Sequence, residues 1–469
     1  MATLIMKFGG TSVGSSEAIT QAAAIVLQHA KDWDRLVVVV SAMSGVTDAL
    51  LKGARSAAAG DPETFPAIAK ELRNRHQATV DALLPPGEDR ARLQDIVDTL
   101  LENYSDLCGS IHVLGEVTPR ALDTISSLGE RINARVVSAL LSHKGARSEP
   151  VDATELIITD DKFQDAAPLM DLSRKRIAKR LEPSLAQGMI PVVTGFMAAT
   201  EDGVTTTLGR GGSDFTAAIL GDCLDADEVW TWTDVDGVMS ADPRMVADAR
   251  VIPVLSCSEV SELAYFGAKV LHPKTIRPII ERGIPLWVKN TFNPTCAGTR
   301  IVDDPDIANG KIKAVTTIKG LSMVIVEGRG MLGVPGIAAR TFSAVANQGA
   351  SVLMISQASS EQSICFVIRT QSVQPVIKAV EQEMALELAR RDIDQIRSLD
   401  DVVIVTVVGA GMRDTPGIAA SIFGALGQAG INVIAIAQGS SECSLSIIIR
   451  SSDALNAVQK IHREVILHG

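Results

Sequence analysis

The chain contains an imperfect copy of part of itself, and any fold for it must hold two equivalent units. The stretch "GMLGVPGIAARTFSAVANQGASVLMISQASSEQSICFVIR" begins at Gly330. It returns as "GMRDTPGIAASIFGALGQAGINVIAIAQGSSECSLSIIIR" from Gly411, 81 residues on and without a gap through Arg369 and Arg450. Each copy reads strand, loop, helix, strand, turn, strand. Pro335 and Pro416 fall near the first helical turn, where a missing N–H costs little. Two small βαββ units of this kind predict a packed pair with a binding site at their interface. A solenoid is excluded, because the period is long and there are only two copies.

The first 300 residues follow a different rule. Short apolar runs such as "TLIMKF" (3–8), "RLVVVVSA" (35–42), "IPVVTGF" (190–196), "EVWTWTD" (228–234) and "IPLWVKN" (284–290) read as buried strands. Helical patterns over 16–31, 62–83, 127–143 and 171–187 lie between them. The alternation predicts an α/β region, a largely parallel sheet sandwiched by helices, with ligands beyond the carboxyl ends of the strands. The polar, turn-rich stretch 294–320 marks a boundary. The expected division is therefore 1–300, then two α+β units over 301–390 and 391–469.

Composition removes several classes of function. Net charge is −11 and aromatic residues are 3% of the chain, which argues against a nucleic-acid surface or base-stacking platforms. The six cysteines form no CxxC pair, so neither a zinc site nor a redox motif is expected. No apolar run reaches the roughly 18 residues of a membrane span. The start of the chain has no signal-peptide layout, and a cytoplasmic location is expected.

Chemistry-bearing residues sit where the strand runs end. "MKFGGTSVGSS" offers Lys7, then Gly9 and Gly10, then a helix start, a pattern suited to an anion. It is neither a Walker loop nor a dinucleotide fingerprint, and an ordinary strand–turn–helix junction would look similar. "TTTLGRGGSD" places Arg210 between glycines at a helix mouth, a fork suited to a carboxylate or phosphate. Capping alone would explain Asp214. "WTDVDGVMSADPR" supplies Thr233, Asp234 and Arg244, and lacks the closing glutamate of a calcium loop. Lys269 in "FGAKVLHP" could simply complement a helix dipole. Together, cations and glycine loops on one sheet edge are what phosphoryl transfer needs.

"KFGGTSV", "VVSAMSGVT", "SLGER", "TTTLGRGGSD", "TDVDGVMSADPR", "FGAKVLHP" and the doubled "PGIAA" units resemble the aspartate kinase family in order and spacing, over essentially the whole chain. The resemblance implies an amino-acid kinase fold followed by paired ACT domains. It implies Mg-ATP-dependent phosphorylation of the L-aspartate β-carboxylate to 4-phospho-L-aspartate, the first step toward lysine, threonine and methionine. By the same resemblance Lys7 steadies the transferring phosphoryl group, helped by the backbone of Gly9 and Gly10. Ser41, Thr47 and Ser213 hold the β-carboxylate. Arg210 pairs the α-carboxylate, Glu130 receives the α-ammonium, and Asp214 organises the site. Thr233, Asp234, Arg244 and Lys269 line the ATP site. Met239 stands where the family often has tyrosine near the nucleotide.

"ISQASSE" and "IAQGSSE" place Gln357 and Gln438 at equivalent points, as in threonine-sensitive members. Threonine is thus the expected effector, on a homodimer or homotetramer formed through ACT domains. No homoserine dehydrogenase domain follows Gly469, so the resemblance is to monofunctional members. Two other readings are a kinase for glutamate, acetylglutamate or a nucleotide, and a non-catalytic amino-acid sensor on a kinase fold. The tandem tail and the "KFGGTSV" start speak against the first. Retention of Lys7 and Asp214 speaks against the second.

Overall fold

The structure is a computed structural model, and it describes residues 1–267, 271, 273–303, 312–331, 334–357, 362–412, 415–438 and 443–467. The chain divides into two compact units. The first comprises Met1–Val238, Val251–Cys257 and Leu271–Asp303, and the second takes the remaining described residues. Among the described residues no helix is long and apolar enough to cross a membrane.

The strands of the first unit are β1 (Thr3–Phe8), β2 (Arg35–Val40), β3 (Ser148–Val151), β4 (Ile190–Thr194), β5 (Met197–Ala199), β6 (Thr205–Thr207), β7 (Glu228–Thr233), β8 (Val254–Ser256), β9 (Leu286–Asn290) and β10 (Thr299–Val302). Eight of them form one sheet in the order β3-β4-β2-β1-β7-β9-β10-β8. From β3 to β9 every pairing is parallel. Only β9–β10 runs antiparallel. The predicted strand runs are all here, because continuous Val, Leu and Ile can be buried on both faces only by helices packed on each side.

The helices of this unit that precede β7 are α1 (Ser16–His29), α2 (Val46–Ala58), α3 (Thr64–Leu83), α4 (Glu88–Leu114), α5 (Pro119–Ser126), α6 (Leu128–His143), α7 (Met170–Ala186) and α8 (Gly212–Cys223). Ser15 caps α1, its hydroxyl accepting the Ala18 N–H at 3.3 Å. Phe8, Val38, Val40, Ile19, Val26, Val136 and Trp232 belong to one continuous core.

Helices α2 and α4 pack so closely that Gly53 has no room for a side chain. A Cβ there would overlap the hydroxyl of the fully buried Tyr104. Gly53→Ala is expected to cost about 2–3 kcal/mol through overpacking. Adding Tyr104→Phe should restore most of that loss. Urea denaturation of the two variants checks this, and a single variant as stable as the parent would show that the helices simply part.

The second unit contains α9 (Cys257–Tyr265), from Ser258 onward, while α10 (Pro273–Ile280) belongs to the first. Its strands are β11 (Ala314–Glu327), β12 (Met354–Gln357), β13 (Ser363–Arg369), β14 (Gln395–Val408), β15 (Ala435–Ala437) and β16 (Ser444–Arg450). Its remaining helices are α11 (Ile337–Asn347), α12 (Val373–Glu383), α13 (Ala385–Arg390), α14 (Ile418–Gln428) and α15 (Ala454–Ile461). The sheet order is β12-β13-β11-β14-β16-β15, so the two copies of the repeat sit on either side of its centre.

The two central strands are long, and each serves both copies. Ala314–Ile318 of β11 pairs with Ile404–Val408, whereas Met323–Glu327 pairs with Gln395–Leu399. The register shifts between Ile318 and Leu321, where Gly320 has φ +74°. Val315 accordingly packs in the core of the second copy, and Val324 and Val326 in that of the first. The strand "KAVTTIKG" thus pairs with the second copy, although it precedes the first in the chain.

Two segments that precede residue 300 also pack in this unit. Val246 and Ala241 join the core of the second copy. On α9, Glu259 is fully buried. One of its carboxylate oxygens meets Lys313 Nζ at 2.8 Å, and the other accepts the Ala410 N–H at 2.8 Å. The Ser444 hydroxyl donates to Glu262 at 2.6 Å.

Candidate active site

Strand β1 is central in its sheet, and the loops that follow its neighbours gather at one edge. Lys7 projects from the last turn of β1 and is buried, its Nζ 2.8 Å from Asp214 Oδ1. The Gly9 N–H donates to the Trp232 carbonyl at 3.0 Å, so that donor is spent on the neighbouring strand. A Cβ at Gly9 would sit at ordinary contact distance, 3.5 Å from the Trp232 carbonyl and 3.7 Å from Lys7 Nζ, so crowding does not demand glycine there.

Asp214 is not the cap of α8. The cap is Gly211, which has φ +74° and offers no side-chain hydrogen bond. Glycine takes this left-handed conformation without penalty. Asp214 lies inside the first turn, where a carboxylate suits the helix dipole and faces Lys7. Gly209 also takes a positive φ, +73°, whereas crowding acts at Gly212 and at Gly195, just before Phe196. A Cβ on Gly212 would fall 2.8 Å from the Phe196 ring, and one on Gly195 2.6 Å from the Ser213 hydroxyl.

Phe196 itself is held at φ +69°, a left-handed backbone that is costly for a bulky residue. Its N–H donates to the Thr216 hydroxyl at 3.1 Å and its carbonyl accepts the Leu208 N–H at 2.9 Å. These bonds hold the strained turn so that the residue forms part of a wall.

A cavity of about 370 Å³ opens between these loops, and Phe196 lines it. Of the residues singled out from the sequence, it brings together Lys7, Gly10, Ser41, Thr47, Glu130, Arg210, Ser213 and Asp214. Asp48, which the sequence analysis does not name, joins them. Glu130 is 3% exposed, and one of its carboxylate oxygens is buried without a hydrogen-bond partner. Burial pushes its carboxyl up to about 8, against the lowering effect of the Ala42 and Glu130 backbone N–H groups. An incoming cation would relieve that cost.

The frame around the cavity is tied by long-range hydrogen bonds. Asn133 donates to the Ser41 carbonyl at 2.7 Å. The buried Asp123 accepts from Gln164 N–H, Thr207 N–H and the Thr207 hydroxyl at 2.8–3.0 Å. Burial raises its carboxyl above the usual range, with those three donors opposing.

The remaining sequence-derived candidates lie elsewhere. Thr233 and Asp234 follow β7 on the same sheet edge, with the Thr233 hydroxyl donating to Asp234 at 3.2 Å. Neither lines the cavity. Arg244 belongs to the second unit, is largely exposed, and is bound by its neighbour Asp242 at 2.6 Å. Lys269 lies outside the described residues. Gln357 ends β12 and Gln438 follows β15, and both are exposed. Among the described residues, no three His, Cys, Asp or Glu side chains cluster as a metal site. Asp48 and Asp214 are nevertheless oxygen donors of the kind magnesium takes alongside phosphate oxygens and water.

Residues 2–290 match the model of the amino acid kinase family, and residues 324–384 and 405–465 each match an ACT domain. A chloroplastic bifunctional aspartokinase/homoserine dehydrogenase of Zea mays is 39% identical over 99% of this chain and 50% of its own length. The chain thus spans about half the length of such relatives. Aspartokinase 1, chloroplastic, of Arabidopsis thaliana is 33% identical over 100% of this chain and 81% of its own. The crystal structure of E. coli aspartokinase III in complex with aspartate and ADP is 28% identical. It covers 99% of both chains, with a TM-score of 0.78.

Proposed function

Because the chain belongs to the aspartate kinase family, we propose that it transfers the γ-phosphoryl group of ATP to the β-carboxylate of L-aspartate. The observation that carries the reading is Glu130. A buried carboxylate with an unpartnered oxygen shares one cavity with Arg210 and with the Lys7–Asp214 pair. That set matches an amino acid: a cation for Glu130, a carboxylate for the Arg210 fork, and a second carboxylate left near Lys7.

In this mechanism Ser41, Thr47 and Ser213 hold the β-carboxylate by their hydroxyls. Lys7 places its ammonium where negative charge spreads over the transferring group, and Asp214 holds that ammonium in line. Gly10 lets the backbone approach the phosphates closely. Thr233, at the end of β7, and Asp234, just beyond it, face the nucleotide, with Lys269 as a further contact. Magnesium, bound through phosphate oxygens with Asp48 or Asp214 beside it, would neutralise phosphate charge.

The ACT pair is the regulatory part of this reading, with threonine as effector near Gln357 and Gln438. Assembly is as a homodimer or homotetramer through the ACT domains, and the location is cytoplasmic. The deciding assay is ADP release with Mg-ATP and L-aspartate, with and without threonine or lysine. Aspartate-dependent turnover suppressed by threonine supports both parts. Turnover indifferent to threonine removes the effector assignment, and threonine binding without turnover favours a sensor.

Glu130 adds a pH signature. Its carboxyl is raised in the empty site, and an α-ammonium would favour the ionised form. Aspartate binding below about 8 must therefore expel a proton. The KM for aspartate should fall as pH rises toward that value and then level off. In Glu130→Gln the KM should be high and lose this dependence. A parallel pH profile in both proteins would remove Glu130 from the ammonium site.

A further inference from the structure

Arg75 stands 61 residues from Gly14 and 31 from Ser44 in the chain, yet it joins them in space. It projects from α3, a helix that is not part of the sheet sandwich. One guanidinium nitrogen donates to the Ser44 carbonyl at 2.9 Å and the other to the Gly14 carbonyl at 3.1 Å. Two residues back on the same helix, Arg73 is instead paired with Asp98 of α4 at 3.0 Å. The guanidinium of Arg75 meets two carbonyls where that of Arg73 meets a carboxylate.

Those two carbonyls belong to the two loops that shape the substrate cavity. Gly14 closes the glycine loop that follows Lys7, and a Cβ on it would come 2.8 Å from the Gly10 carbonyl. Ser44 lies midway between Ser41 and Thr47 and itself lines the cavity. The loops are also hydrogen-bonded directly, the Ser44 N–H donating to the Gly10 carbonyl at 3.1 Å. Asn133 anchors the start of the Ser41–Thr47 loop from α6. Nothing comparable on the described sheet strands holds its middle.

We infer that Arg75 is a positioning residue that clamps the phosphate-side loop to the acceptor-side loop. Its planar fork can bridge two oxygens at a fixed separation, which the point charge of lysine cannot do. Its bonds are charge-assisted and therefore stronger than the amide bonds they supplement. Without it the spacing between acceptor hydroxyls and phosphates rests on backbone bonds near the loop starts, Ser41 N–H to the Phe8 carbonyl and Ser44 N–H to the Gly10 carbonyl, each 3.1 Å. A displacement of an ångström in such a pair costs about a hundredfold in rate. On this account the α2–α4 excursion serves the chemistry by delivering one guanidinium to the back of the site.

The inference rests on the acceptor reading proposed above, and two measurements keep the two separate. In the full chain, Arg75→Ala is expected to lower kcat/KM for aspartate about a hundredfold, with a smaller change in KM for Mg-ATP. Arg75→Lys should recover only part of the loss, and millimolar guanidinium should partly restore Arg75→Ala. The control, Arg73→Ala, removes an α3–α4 ion pair and should leave kinetics unchanged. Hydrogen exchange is the activity-independent readout: amides of residues 10–14 and 41–47 should exchange faster in Arg75→Ala and not in Arg73→Ala. Kinetics or exchange in Arg75→Ala matching the unsubstituted protein would overturn the clamp. So would a loss of activity that simply tracks melting temperature and ignores guanidinium. An unsubstituted protein with no aspartate-dependent turnover would remove the acceptor reading, and the exchange result would still decide whether Arg75 joins the loops.

Discussion

Lys7→Met is expected to lower aspartate-dependent ADP release by about a thousandfold, the upper range for loss of one preorganised donor at a site of developing charge. Methionine keeps the length and the apolar stem, so the variant should fold. What disappears is the ammonium 2.8 Å from Asp214. Asp48 and Asp214, both lining the cavity, would then face the polyphosphate without the Lys7 counter-charge. The loss should appear in kcat more than in KM for aspartate, because Arg210 and Glu130 remain to bind the substrate ends. Single-turnover kinetics with the variant checks this. Retention of a tenth of the parent rate would mean that Lys7 only neutralises Asp214.

Lys313→Met is expected to destabilise the second unit by about 3–5 kcal/mol, the cost of leaving one member of a buried ion pair behind. Glu259 is fully buried, and its 2.8 Å contact with Lys313 supplies the opposing charge. The Ala410 N–H also donates to this carboxylate but brings no full charge. Glu259→Gln added to Lys313→Met should recover much of the loss, since a neutral amide can keep the backbone bond. Chemical denaturation of the two variants tests this. A double variant less stable than the single one would show that the pair itself, rather than the stranded charge, is the stabilising element.

The sheet of the first unit was legible in the sequence because parallel strands covered on both faces cannot hide their Val and Ile runs. The polar residues of the cavity were legible for a related reason. Lys7, Arg210 and Asp214 stand beside glycines at strand or helix ends, where apolar patterning stops abruptly. Phe196 gave no such signal. Its place in the wall comes from a left-handed backbone, and an aromatic residue after "TG" does not advertise that. Arg75 was equally silent, being one of two arginines on an amphipathic helix, and its partners are carbonyls of distant loops.

The allegiance of Arg244 was also hidden. Its segment reads as the tail of a strand-end loop, but the burial of Ala241 and Val246 in the core of the second copy assigns it to the other unit. Strand pairing is another property that local pattern does not carry. Register in β11 changes at Gly320, and the residues on either side look equally strand-like.

The shared central strands have a consequence for the ancestry of the repeat. A freshly duplicated unit could be deleted again, because each copy would close its own sheet. Here Ala314–Ile318 completes the sheet of the copy that follows nearly a hundred residues later, and Gln395–Leu399 completes that of the copy before it. Excision of either copy would strip the survivor of a strand and expose a long row of unpaired backbone groups, the kind of edge that recruits other chains. The duplication has become irreversible, and neither half can be transplanted alone as a sensor module. Recombination that borrows this regulatory part must take it whole, from Lys313 through α15, together with the two earlier segments that pack in it.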